Sequence, residues 1–272
     1  SAAGAATGLA DGVGPGRGVS PAKAPLPLSD RPVILAAGGE GGEGGEAGGG
    51  GEGGEAGIDV SKTATDPVVF LTALDVIRAH YHAGLTAYGA GDNTAGAEMF
   101  AHAFSEVYAD LGATLKTLGA PEFDKEMQAT IDAATAGASA GEVESAAGRV
   151  FNALDEAEKH APPSTKKPLD IEKAALADML NRAALQYGTA LKAKDAEPYL
   201  DGFGFYAAAR SRAAKIKHAL FASSAETSDA VAAAIAALEQ AYPGIKRPAA
   251  PPIEPGAALA AVSKADLALL ND

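Results

Sequence analysis

A chain of 272 residues with a formal net charge of −13 and no cysteine holds no disulfide, thiolate zinc site, iron–sulfur cluster or thiol nucleophile. The same charge argues against non-specific binding to DNA, RNA or anionic lipid, which needs clustered Lys and Arg, whereas an acidic surface attracts cations. With 6% aromatics and no tryptophan, any core is built from Ala, Leu, Val and a few Phe and Tyr, which suits closely packed helices because alanine gives up no rotamer freedom on becoming helical.

The chain opens Ser1-Ala2-Ala3-Gly4, as a chain does after signal-peptide removal or trimming, and we expect a periplasmic or secreted protein. No run of 18 apolar residues follows, so no membrane span is expected. Residues 1–60 read as a disordered leader, passing through "APLPLSDRPVILAA" into the acidic tether "GGEGGEGGEAGGGGEGGEAG" at 38–57. Glycine makes that tether costly to order, and Glu40, Glu43, Glu46, Glu52 and Glu55 repel one another. Within the leader, "RPVILAA" is an apolar patch expected to dock on the folded body or on a partner.

From Asp66 the pattern turns helical. Asp66-Pro67 gives an N-cap and a proline at the first helical position, and Phe70, Leu74, Ile77, Tyr81, Leu85 and Tyr88 form a stripe at spacings of three and four. "GAGDNTAG" breaks that helix, and a second is predicted over 95–118 with Phe100, Phe104, Val107, Leu111 and Leu118 as its apolar side. Helices over about 122–136 and 140–159 complete a bundle half at 66–160, with short connections that favour antiparallel neighbours. After the linker "HAPPSTKKP" a second half at 169–243 holds helices over about 170–193, 197–222 and 226–242. A proline-rich tail at 244–272 ends in a short helix over 263–270. No segment alternates as a half-buried strand does, so the fold class is all-α, two antiparallel bundle halves after the leader.

The halves echo one another. "AHYHAGLTAYGAGD" turning into "AEMFAHAFSEVYADL" is matched by "AALQYGTALKAKD" turning into "AEPYLDGFGFYAAAR", with Gly84 against Gly188, Asp92 against Asp195 and Glu98 against Glu197. Such an echo is what a duplicated hairpin leaves, and also what two alanine-rich hairpins share by chance.

No hydrolase elbow or phosphate loop is present: the "DGFGFY" glycines have the wrong spacing and no Lys-Ser/Thr follows. Histidines concentrate in the first hairpin. His80 and His82 point about 200° apart on an ideal helix, so one can face the bundle. His80 is the better candidate, because His82 falls on the side of Asp75 and Arg78, read as outer. His102 and Glu106 are i, i+4, and Glu98 lies four residues before His102, so one helix face offers O, N and O donors suited to Fe, Zn, Cu(II) or Mn. Tyr81 or Tyr108 would add a phenolic oxygen, and three scattered methionines do not suit Cu(I). That face lies nearly opposite the Phe100–Phe104 stripe, so it is a ligand set only if another layer covers it, and otherwise a solvated face. In the second half Glu197, Tyr199 and Asp201 are either a hard oxygen-donor set or acidic residues favoured at a helix N-terminus. His160 and His218 are expected at the surface.

On "RAHYHAG…AHAFSEVYADL" and "YLDGFGFYAAAR" the chain resembles helical bacterial periplasmic proteins and, more distantly, the periplasmic domain of high-affinity iron permeases and the imelysin-like iron-uptake proteins, over roughly 70–220. The resemblance implies an extracytoplasmic metal-handling role with iron first. It places the His/Glu pattern on His102 and Glu106 and the acidic-aromatic pattern on Glu197, Tyr199 and Asp201. The imelysin-type His-x-x-Glu spacing is not reproduced, because Glu106 follows His102 by four.

The reading that results is a non-enzymatic protein that binds or delivers a metal ion, iron first with copper or zinc as alternatives, through His102, Glu106, Glu98 and His80. The alternative is a non-catalytic scaffolding subunit of an extracytoplasmic assembly, its leader docking on a protein partner or a second copy.

Overall fold

The computed structural model describes residues 57–194 and 196–271. The expectations made for the leader, its docking patch and the tether up to Ala56 lie outside the described residues. Every regular element among those described is helical. A 3-10 turn, Val60–Lys62, precedes α1 (Pro67–Gly89), α2 (Asn93–His102), a π-helical segment (Ala103–Tyr108), α3 (Ala109–Leu118), α4 (Asp124–Thr135), α5 (Ala140–Glu158), α6 (Pro168–Ala190), α7 (Glu197–Ser223), α8 (Ala225–Ala241) and α9 (Pro255–Asn271). None of these is long and apolar enough to cross a membrane.

The helix ends follow the local chemistry. Asp66 accepts from the Val68 N–H and Pro67 opens α1. Asp92 and Ser224 cap α2 and α8 in the same way, while Ser139 and Glu142 close a capping box on α5. Gly119, in the left-handed region at φ 69°, ends α3 and lets the Ala120 N–H reach back to the Leu115 carbonyl.

Two elements depart from the sequence expectation. The expected second helix runs unbroken from Asn93 to Leu118 but widens to π geometry over Ala103–Tyr108, where the Ala109 N–H bonds the Phe104 carbonyl. The terminal helix is 17 residues, not eight. Its alanine-rich start is helical from Pro255 because Ala258, Val262, Ala265 and Leu269 form a buried stripe against α6 and α8.

α1 is the centre of the packing. It touches α2, the π segment, α5, α6 and α7, and one continuous core draws on Phe70, Leu74 and Ile77 of α1, Val107 and Leu111, Val150 of α5, Leu176 and Leu180 of α6, and Leu238 of α8. The reading of Asp75 and Arg78 as an outer face is therefore corrected: both are buried, Asp75 to 1% exposure, because α1 is covered on all sides. A smaller cluster of Ala83, Ala87, Met99 and Leu200 joins α1, α2 and the start of α7.

α1 and α7 lie antiparallel. Asp75 meets Arg212, the Ala79 carbonyl meets Gly204, and Ala83 packs near Leu200. Gly204 permits the close crossing: a Cβ there would sit 2.5 Å from the Ala79 carbonyl oxygen. Gly84 does the same for α1 and α2, where a Cβ would meet the Phe100 ring at 2.6 Å. Its sequence counterpart Gly188 has nothing within 4 Å of such a Cβ, so the two halves do not use this glycine alike.

Candidate metal centre

Four elements bring titratable side chains to one place. α1 supplies His80, α2 and the π segment supply His102 and Glu106, and the first turns of α7 supply Glu197 and Asp201. His80 Nε2 stands 3.6 Å from Glu106 Oε2, His102 Nδ1 stands 3.7 Å from Glu106 Oε1, and the same His102 Nδ1 stands 3.6 Å from Glu197 Oε1. The two imidazoles meet edge to face with centroids 6.5 Å apart.

His80 has its tautomer fixed by its neighbours. Its Nδ1 lies 2.8 Å from the Val76 carbonyl oxygen, which can only accept, so Nδ1 carries the proton in the neutral ring. Burial pushes the His80 pKa down, against the carbonyl bond and the Glu106 charge, and this favours the neutral form. Nε2 then carries its lone pair on the side of Glu106. The Asp201 Oδ1 is buried without a hydrogen-bond partner, and burial followed by the nearby Glu197 charge raises its pKa to about 7, with His102 pulling the other way. A buried carboxylate oxygen without a donor calls for a proton or a cation.

The residues named from sequence divide accordingly. His80, His102 and Glu106 come together. Glu197 and Asp201, read as a separate second-half set, lie beside His102, because α7 packs on α1 and its first residue reaches His102. Glu98 does not take part: it is exposed on α2 and pairs with none of the others. The π segment begins after His102 and holds Glu106, which faces His80 of α1. Tyr199 also stands apart, buried, with its hydroxyl donating to the Ala241 carbonyl and its ring against Tyr242. Neither phenol considered as a further ligand takes part. Tyr108 accepts from the Phe123 and Asp124 N–H groups, and the Tyr81 ring packs on Phe100 and Phe151. His82 packs on Phe151 with its Nε2 buried, and burial, with Arg78 and Arg210 nearby, lowers its pKa to about 4.

The donors form a chain of pairs. Among the described residues no group of three or more His, Asp or Glu side chains already closes round one point as a metal-binding group. The spacing within the pairs is nonetheless close to that of neighbouring ligands, since two donors bonded at 2.0–2.2 Å to one ion lie about 3.0–3.6 Å apart. The carbonyl bond that orients His80 is also the arrangement by which metal-bound histidines are commonly held.

A second polar cluster escaped the sequence reading. Arg212 of α7 is 3% exposed and binds Asp75 through Nε and through Nη2 at 2.8 Å. It also reaches Glu158 at 2.9 Å and bonds Glu172, while Arg78 joins Asp155 at 3.0 Å and Glu158 at 3.2 Å. Burial works against the Arg212 charge, but Asp75, Glu158 and Glu172 outweigh it and hold it protonated. The signal for this cluster was present: Asp75 and Arg78 are an i, i+3 pair inside an otherwise apolar run, which buried helices carry only when the charges are paired. A cleft of about 590 Å³ beside it, lined by Pro67, Leu71, Ile171, Glu158, Glu172 and Lys215, has its carboxylates committed to these cations.

Comparison with protein-family models, with curated proteins and with solved structures finds no match to this chain.

Proposed function

We propose that the protein binds a divalent metal ion between α1, the π segment and α7, with His80, His102 and Glu106 as core donors and Glu197 and Asp201 as the further carboxylates. The observation that carries the reading is the buried Asp201 Oδ1 without a hydrogen-bond partner, with a carbonyl-oriented His80 imidazole on the helix that packs against α7. An ion bonded to these groups would give the Asp201 oxygen the partner it lacks. Closing the chain of pairs onto one ion asks for side-chain rotation at His102 and Glu197, the two most exposed members.

Imidazole nitrogen with carboxylate oxygen, and no sulfur, suits iron, zinc or manganese, and two imidazoles with one carboxylate is a set that iron(II) occupies with positions left open. Iron stands first, also because of the resemblance to iron-handling proteins, and an extracytoplasmic setting belongs to the same proposal on that ground. The π segment supports it further, since such segments recur at functional sites.

The test is the metal content of the purified chain by inductively coupled plasma mass spectrometry after incubation with Fe²⁺ (anaerobic), Zn²⁺ or Mn²⁺ and desalting. About one ion per chain is expected, retained by Glu98→Ala and lost from His80→Ala and His102→Ala. Equal loss or equal retention in all three variants would overturn the reading.

A further inference from the structure

The cleft of about 590 Å³ beside the Arg212 network is walled by α1, α5, the α5–α6 connection, α6 and α7, and its volume lies in the range of about 300–1,000 Å³ usual for small-ligand sites. Its lining falls into two parts. One is apolar: Pro67 and Leu71 of α1, Ala161 and Pro162 of the connection, Pro168 and Ile171 of α6. The three prolines carry no N–H, so this part offers little to a polar guest and suits hydrocarbon.

The other part is ionic, and its two glutamates divide their oxygens in the same way. Glu158 gives Oε1 to Arg212 at 2.9 Å and Oε2 to Lys215. Glu172 gives Oε2 to Arg212 and Oε1 to Lys215, at 3.3 Å. Arg212, buried and locked to Asp75, therefore fixes both carboxylates with their remaining oxygens turned to one position, and the group in that position is a primary ammonium. The Lys215 side chain is 50% exposed on a flexible four-carbon stem, so it can leave for water while Arg212 stays. We propose that the cleft binds a primary amine with an apolar body, alkyl or aryl, its ammonium replacing that of Lys215 between Glu158 Oε2 and Glu172 Oε1 and its hydrocarbon lying on the proline-rich part. Exchange of one ammonium for another leaves the charge of the network unchanged, and burial of the hydrocarbon supplies the gain. An anion in the same place would face both glutamates. The cleft shares no residue with the proposed metal site, so each proposal stands or falls separately.

Isothermal titration calorimetry of the full chain at pH 7 with n-hexylamine, hexan-1-ol and hexanoate tests the chemistry. Hexylamine should bind at least about tenfold more tightly than the alcohol or the acid, because it alone keeps both glutamates paired. From butylamine to heptylamine each added CH₂ should tighten binding about two- to fourfold. Lys215→Ala should tighten hexylamine by about tenfold, since a tethered competitor is gone. Lys217→Ala removes an exposed cation of the same helix outside the cleft and should change binding by less than about twofold. Glu172→Gln should weaken it by about tenfold. Hexanoate or hexanol binding as tightly as hexylamine, no saturable binding of hexylamine, or equal effects of Lys215→Ala and Lys217→Ala would each overturn the proposal.

Discussion

Replacing Arg212 by methionine tests the clamp that holds α7 on α1, the two helices that supply His80, Glu197 and Asp201. The variant keeps most of the side-chain volume and removes the guanidinium. Asp75, 1% exposed, would lose the two bonds it receives from Arg212 and keep only Arg78 Nε at 3.5 Å. Stranding one member of a buried ion pair costs about 3–5 kcal/mol, which at about 1.4 kcal/mol per tenfold is a rise of roughly two to three and a half decades in the unfolding constant. Lys215→Ala removes a cation of the same network that is half exposed, and should cost less than about 1 kcal/mol. Urea unfolding followed by circular dichroism, with equal slopes required of both variants, measures the contrast. Addition of Asp75→Asn to Arg212→Met should recover part of the loss, because the stranded charge is then gone. Equal costs for Arg212→Met and Lys215→Ala, or no recovery in the double variant, would refute the claim that burial makes this network matter.

Gly204→Ala should destabilise by about 1–3 kcal/mol, because the added Cβ meets the Ala79 carbonyl at 2.5 Å, and it should weaken metal binding as α7 moves off α1. The same urea titration and a metal titration check both effects. Tyr108→Phe leaves the Phe123 and Asp124 N–H groups without their shared acceptor and should cost about 1–3 kcal/mol by denaturant unfolding. Stability should fall in acid partly through Glu158. Burial raises its pKa, but Arg212, Lys215 and Arg78 outweigh that and hold it below the usual range. A carboxylate depressed on folding contributes stability above its unfolded pKa and loses it as pH falls through the folded one, so the acid limb of a stability–pH curve should be shallower in Arg212→Met.

The sequence carried the architecture well because its signals are local. Asp66-Pro67, Ser139 with Glu142, and Gly119 each mark a helix end by chemistry confined to one turn. What it carried poorly depends on which helix lies in the middle. α1 was read as amphipathic with His82, Asp75 and Arg78 outward, although its residues are apolar nearly all round, the pattern of a helix buried on every side. The metal candidates show the same limit. Spacing alone joined Glu98 to His102 and Glu106, and separated them from Glu197 and Asp201. The packing of α7 on α1, which brings Glu197 to His102, is not written in a periodicity of 3.6. The "DGFGFY" glycines, compared with a phosphate loop, are packing residues instead: Gly204 meets the α1 backbone, and a Cβ at Gly202 would fall on the Tyr242 hydroxyl.

Where an added ion sits decides the central claim most directly. Crystals of the chain grown or soaked with Fe²⁺ under anaerobic conditions, or with Zn²⁺, give an anomalous difference map that locates the metal without reference to activity. The account predicts one peak within bonding distance, about 2.0–2.2 Å, of His80 Nε2 and of Glu106, with His102 and at least one α7 carboxylate in its shell. A map with no peak there, or with ions only at exposed carboxylates such as Glu98, would contradict it.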